Sequence, residues 1–285
     1  MSLLTLIQDA ANELGVDAPS GVIASTDATV LQLLAFLKAD GIELRNMYPW
    51  PELTKEYNFS LVSGTASYAL PGDFDRQYFR TQWDRTNHWE LCGPLSPQEW
   101  QARKGTTTTS SLHRNFRVKG ATDTQFFIDP TPANSGDVIY FEYQSTNWVR
   151  PRTWVTATAY LANTYTWYNG NLYKTTSAGT TGATPPTHTS GSASDGAVTW
   201  IYQSGVYDYP LADTDEFLLS PTILKLGIKW RFLEQKGLEY QRIYSEWLAA
   251  SKRRIAGFRG ARTITVGKRL RYPFIGYFNI PDTIS

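Results

Sequence analysis

Between Ser220 and Gly237 the sequence carries Ile223, Leu224, Leu226, Ile228, Trp230 and Leu233, too many apolar side chains for one narrow helical stripe. A helix built from them must be covered on more than one side. Ser220 is an N-cap candidate, and Pro221 suits the first helical position, whose N–H has no partner in any case. Gly237 can take the left-handed conformation that ends a helix, and Lys236 before it suits the negative end of the dipole. A second helix follows, with Tyr240, Ile243, Tyr244, Trp247 and Leu248 at helical spacing and Lys252, Arg253 and Arg254 in its last turns. The stretch Asp213 to Arg254 therefore reads as a helical hairpin.

The N-terminal region has the same period. Ser2 caps a helix from Leu3 to Leu14 that Gly15 ends. Ser25, Thr26 or Asp27 caps a longer one running to about Met47, with Val30, Leu33, Leu34, Leu37, Ile42 and Leu44 as core candidates. Gly41 weakens it by about 1 kcal/mol relative to alanine. After Pro49-Trp50-Pro51 the period changes to two. Glu56 to Leu61 alternates, and Ser67 to Leu70, Asp75 to Trp83, Trp89 to Cys92, Asn115 to Lys119, Gln125 to Ile128 and Val138 to Tyr143 are further strand candidates. Ser96 to Trp100 resembles the start of a short helix, and Gly105 to Ser111 reads as a mobile loop of low complexity.

Residues 154–204 differ in composition, being rich in Thr, Ala, Gly and aromatics, with Lys174 and Asp195 as the only charges. Trp167 to Tyr173 centres on Asn169-Gly170, the preferred two-residue hairpin turn, and Ala197 to Tyr202 alternates as a strand. Thr180 to Ser194 reads as a loop. The Trp200 strand returns the chain close to Trp148, as a domain inserted in a loop requires. The plan is α+β: a helical bundle of N-terminal helices (1–50) and a C-terminal hairpin (208–257), a small antiparallel β-domain (51–150), an inserted all-β module (151–207), and an extended tail (258–285).

Net charge is +1, which gives no global case for nucleic acid or a membrane surface. The charge is uneven, however. Residues 1–44 carry six acids against Lys38, whereas Lys252 to Arg271 holds eight basic residues and no acid. That basic run suits DNA phosphates or acidic groups of a protein partner, and the interleaved Tyr and Phe favour the protein. Cys92 is the only cysteine, so no internal disulfide forms, and it reads as a buried, inert thiol. The N-terminus lacks the pattern of a signal peptide, and no apolar run is long enough to span a membrane.

Catalytic chemistry finds no footing. His88, His113 and His188 have no partner spacing, and no phosphate-binding or nucleophile motif is present, so no catalytic residue, metal or cofactor is expected. Asp213 and Asp215 suit either a cation or the positive end of a following helix. Trp154, Trp167 and Tyr168 are either glycan-stacking aromatics or the core of a tiny domain. A glycosidase would need two placed carboxylates, and the insertion offers only Asp195.

The order W-x-x-L…F-x-L-V-x-G-T-x-x-Y-x-L-P-x-D-F (Trp50 to Phe74), F-E-Y…W (Phe141 to Trp148) and D-T-D…S-P…K-W-R-F-L-E-Q-K-G-L-E-Y (Asp213 to Tyr240) resembles the head–tail adaptor, or connector, proteins of tailed bacteriophages. The resemblance implies a non-enzymatic virion protein of the neck, assembled in the host cytoplasm. It implies a homo-oligomeric dodecamer ring between the portal protein and the tail tube, nozzle or tail-fibre proteins, with packaged DNA passing transiently through its channel. The tail would dock on the portal through Arg269, Arg271, Tyr272, Phe274, Ile275, Tyr277 and Phe278, and Trp230, Phe232 and Trp247 are candidates for the subunit interface. Residues 154–204 depart from that pattern. Their Gly170 to His188 run, followed by D-G-A-V-T-W (Asp195 to Trp200), is similar to small carbohydrate-binding-like modules of phage virion proteins, which implies a host-surface glycan or a structural decoration.

Overall fold

A computed structural model of the chain describes residues 1–105, 113–120, 125–203 and 207–259. In chain order the first elements are α1 (Leu3–Leu14), α2 (Ala28–Met47), β1 (Thr54–Ser60), β2 (Ser67–Ala69), β3 (Phe74–Gln77), β4 (Trp83–Asp84), β5 (Trp89–Glu90) and α3 (Pro97–Lys104). They are followed by β6 (Asn115–Lys119), β7 (Gln125–Asp129), β8 (Val138–Ser145), β9 (Val149–Arg150), β10 (Ala159–Tyr160), β11 (Tyr165–Tyr168) and β12 (Asn171–Thr175). The last are β13 (Gly179–Thr180), β14 (Ser192–Asp195), β15 (Val198–Gln203), β16 (Glu216–Phe217), α4 (Pro221–Gln235) and α5 (Gln241–Arg259). The class is α+β, with five helices and several small antiparallel sheets among the described residues. One unit joins Met1–Leu53 to Ser145–Gly260, and the other is built on Thr54–Gln144.

In the first unit α4 packs against α1, α2 and α5, which gives its surplus of apolar residues somewhere to go. Ile223, Leu224 and Ile228 are buried with Leu3, Leu6 and Ile7 of α1, Leu33 and Leu37 of α2, and Ile243 and Trp247 of α5. Ser2 caps α1 by accepting from the Thr5 N–H at 3.3 Å, and Asp27 caps α2 by accepting from Thr29 and Val30. Ser220 occupies the N-cap of α4, but its side chain makes no capping bond there. Gly237 ends the helix at φ +68°, with its N–H on Glu234 O and the Leu238 N–H on Leu233 O, the paired bonds of a Schellman motif. Helix α5 continues to Arg259, past the Lys252-Arg253-Arg254 run.

Two expectations about α2 are corrected. Ile42 faces solvent at 45% exposure, and the buried positions beside it are Asp40 and Gly41. Gly41 is not a mere weak point: a Cβ there would lie 2.3 Å from the Trp148 ring, which is fully buried. Across the α2–α4 contact, a Cβ on Gly227 would lie 2.0 Å from the Asp40 carboxyl carbon. The two glycines allow an approach that any side chain would block.

The insertion lies within the first unit. Its four-stranded sheet, in the order β11-β12-β15-β14, has two buried faces. On one, Tyr173, Val198 and Trp200 pack with Tyr160 of β10 as a small core. On the other, Leu172 is buried in the same core as the helices, with Tyr165 and Trp167 packed against it. The period-two alternation of β11 and β12 sends neighbouring residues to opposite cores. Asn169 and Gly170 turn the hairpin at positive φ, as the dipeptide predicts. Ser192–Asp195, its first three residues expected as the end of a loop, pairs with β15 as an edge strand. The insertion is closed by β9 on β16 and by the Tyr207 N–H on Asn147 Oδ1 at 2.7 Å.

In the second unit β8 pairs with β1 along one side and with β3 and β4 along the other, and β5 extends β4. A separate sheet runs β2-β7-β6. Phe116, Phe126 and Phe141 stack in sequence, with ring centroids at 4.9 and 5.5 Å, and form the centre of this unit's core. The stretch Asp75 to Trp83 is not one strand. It breaks after Gln77, where Arg80 takes φ +64° and Phe79 is 73% exposed. Arg114 bridges Asp84 at 2.6 Å and Asp137 at 2.5 Å. Cys92 is exposed, contrary to the expectation of a buried thiol. Helix α3 carries a capping box between Ser96 and Glu99.

Asp40 is fully buried, with the Trp247 indole and Arg231 beside its carboxyl but neither in good hydrogen-bond geometry. Burial pushes its pKa up to about 8, with Arg231 on α4, 3.6 Å away, opposing the shift and Glu43 adding to it. Above the ordinary value of 3.8 the unfolded chain releases this proton while the folded chain keeps it. Rising pH therefore favours unfolding until the folded carboxyl itself ionises. We expect Asp40→Asn to remove that dependence and to exceed wild type by a few kcal/mol near pH 8. Denaturant melts of both proteins at several pH values check this; parallel curves would contradict it.

Candidate functional site

The C-terminal end of α5 is where the first unit presents its basic residues. Ile243, Trp247 and Ser251 fix one side of the helix in the core, which leaves Lys252, Arg253 and Arg254 exposed on the other. Arg254 reaches Glu52 and lies 5.0 Å from the centroid of the Phe258 ring. Phe258 meets Trp50 edge to face at 6.3 Å. Trp50 is itself held by its indole N–H on Leu44 O, beyond the proline stop of α2. The last described turn of α5 is thus tied to the segment that ends α2. The tail residues Arg269, Arg271, Tyr272, Phe274, Ile275, Tyr277 and Phe278 lie outside the described residues, as do the Thr263 to Val266 strand candidate and the Thr106 to Ser111 tract.

Trp230, Phe232 and Trp247 sit in the chain's own core, at 8%, 6% and 1% exposure. Trp230 contacts Tyr244 and Trp247 at 5.2 and 6.0 Å between ring centroids. Little of their surface is left for a neighbouring copy to reach. Sequence reasoning could not divide the apolar excess of α4 between core and interface, because the pattern is apolar on all sides.

The three insertion aromatics are not brought to one place. Trp154 and Tyr168 meet edge to face at 5.9 Å on the insertion's own core, and both are partly exposed. Trp167, one residue away, points to the opposite face and packs on the helical core. The Trp154 indole N–H is committed to Asp195 at 2.8 Å, and the same carboxylate accepts from the Trp200 indole at 3.1 Å and from the Gly182 N–H at 2.8 Å. Asp195 thus organises the insertion's core, a role the composition hinted at only by its being the sole acid there.

Asp213 and Asp215 hold loops. Asp213 accepts from the Val22 and Ile23 N–H groups, and Asp215 from the Leu211 and Ala212 N–H groups and the Tyr207 hydroxyl. Their backbone carbonyls accept from Leu3 and Leu4, at the start of α1. Burial raises the Asp215 carboxyl above its usual range, and these hydrogen bonds oppose the shift. The acids therefore tie the start of α1 and the segment before α2 to the segment before α4, rather than serving the N-terminus of a following helix. Among the described residues no cluster of His, Cys, Asp or Glu is arranged to hold a metal ion, and no helix is long and apolar enough to cross a membrane.

A family model described as SU10 adaptor protein matches residues 1–178, which covers α1, α2, the second unit and the first hairpin of the insertion. No curated protein matches the chain.

Asp195→Ala leaves the buried Trp200 indole N–H without an acceptor, at about 1–3 kcal/mol, and also frees the part-buried Trp154 indole N–H. We expect the insertion to loosen, with a lower melting temperature and red-shifted tryptophan emission, and Asp195→Asn to be milder. Unchanged emission and melting in Asp195→Ala would remove the carboxylate from this role.

Proposed function

The chain belongs to the SU10 adaptor protein family, and from that premise we propose that it joins the portal to the tail of a tailed phage as a ring of identical copies. It is an adaptor-type structural protein of a phage, and its mechanism is packing rather than chemistry. The helices α1, α2, α4 and α5 act as a bundle whose fixed shape sets the angle between neighbours, in a head-to-tail cyclic interface. The proposed ring is a dodecamer in the neck of the virion and continues the DNA channel of the portal.

The family match is the observation that carries this reading. The geometry that supports it is the exposed basic end of α5, anchored through Phe258 and Arg254 to Trp50 and Glu52. In the proposed mechanism residues 258–285 dock on the portal, with Arg269, Arg271, Tyr272, Phe274, Ile275, Tyr277 and Phe278 as anchors. Aromatic and arginine side chains are the residues from which interface hot spots are built. Ordering such a segment costs a few kcal/mol, which a large interface offsets.

A second reading assigns the insertion to a host-surface glycan. The partly exposed Trp154 and Tyr168 pair favours it, since sugar rings stack on flat aromatic faces. Trp167, turned to the helical core, contributes to such a site only through the fold.

Deleting 260–285, which keeps α5 and the Phe258 contact with Trp50, is expected to abolish attachment to portal-bearing heads while leaving circular dichroism and melting intact; a truncated chain that still binds purified portal ends the docking idea. For the second reading, glycan-array binding lost in Tyr168→Ala supports sugar recognition. Absence of binding to host cell-wall sugars reduces the insertion to a spacer.

A further inference from the structure

Helix α2 has a second face. Val30, Leu33, Leu37 and Leu44 bury one side, whereas Leu31, Ala35, Ala39 and Ile42 line the other, spaced so that they fall on one stripe. Leu31 and Ile42 are 47% and 45% exposed. The segment 209–213 runs beside this stripe. Lys38 on α2 places its ammonium 5.1 Å from the Tyr209 ring centroid, and at the other end Asp213 holds the backbone of Val22 and Ile23. Tyr209, Leu211 and Ile23 are also exposed, which adds apolar surface on the segments tied to α2 through Lys38 and to the stretch before it through Asp213. Single exposed apolar side chains need no explanation, but a connected set marks an interaction surface.

Its charges and those of α5 are complementary. Asp27 stands at the N-cap of α2, and Asp208 precedes and Asp213 ends the 209–213 segment, against Lys38, whose charge is already over Tyr209. The outward side of α5 carries Ser245, Ala249 and Ala256 at helical spacing, beside Lys252 and Arg253. Those two cations have no carboxylate partner among the described residues, whereas Arg254 is paired with Glu52. Small side chains on both helices allow close approach, with ridges of one helix in grooves of the other. We propose that the outer face of α2, with the 209–213 segment, receives the outward side of α5 from a second copy of this chain. The two surfaces differ, so the contact is heterologous and can close into a ring. The inference rests on the ring reading above and adds the surfaces the copies share.

The test uses heads from a phage lacking this chain, loaded with full-length protein. In a Cys92→Ser background, a chain carrying both Leu31→Cys and Ala249→Cys should give a ladder of multimers with a short bismaleimide, and each single-cysteine chain should not. Leu31→Glu with Ile42→Glu, and separately Lys252→Glu with Arg253→Glu, should each retain at least about tenfold fewer copies per head, with unchanged circular dichroism. Wild-type rings without a ladder, or cross-linking of position 31 to the portal, overturn this contact and leave the ring intact. A wild-type chain that forms no ring on the heads overturns both readings.

Discussion

Helix α4 lies against α2 where neither helix carries bulk. Gly227 has no side chain at the place occupied by the Asp40 carboxyl, and Gly41 has none where the Trp148 ring rests. The approach brings Ile223, Leu224 and Ile228 into one core with Leu33 and Leu37. It also buries a carboxyl group that no well-formed hydrogen bond satisfies, which the fold tolerates by holding it protonated over most of the physiological range. Trp148, stacked on Phe217 at 5.8 Å, carries the arrangement to the base of the insertion, where β9 and β16 pair.

The insertion follows from the same packing. A sheet of about 50 residues has little core of its own, and small modules of this kind are marginal in isolation. Here the sheet uses both faces. Trp200 and Tyr173 fill one side, and Leu172, with Trp167 and Tyr165, joins the helices on the other. An insertion attached in this way is a fixed feature of the first unit rather than a pendant.

Much of the architecture was legible from local signals, because caps and turns are written in a few adjacent residues. Ser2 and Gly15 bound α1, Gly237 ends α4, Asn169-Gly170 turns the hairpin, and Asn115 to Lys119 is a strand as its alternation predicts. What was not legible depends on contacts between distant parts of the chain. Gly41 looked like a weak point until Trp148 was placed on it, and Ile42 looked like core from its apolar character, although Asp40 and Gly41 hold the buried positions beside it. The division of α4 between core and interface, and the opposite directions of Trp167 and Tyr168, are likewise tertiary facts. The family match ends at residue 178, so the helices α4 and α5 lie beyond it, and they were read from periodicity and capping.

A helical core, an insertion packed on it and a basic helix end anchored beside Trp50 form a scaffold suited to an adaptor-type structural protein. The most direct measurement is an image of the chain in the intact virion by single-particle electron microscopy. The adaptor reading predicts a closed ring between portal and tail, with the basic end of α5 directed at the portal. Density for the chain as isolated copies on the fibres or the outer capsid, with none at the neck, would contradict it.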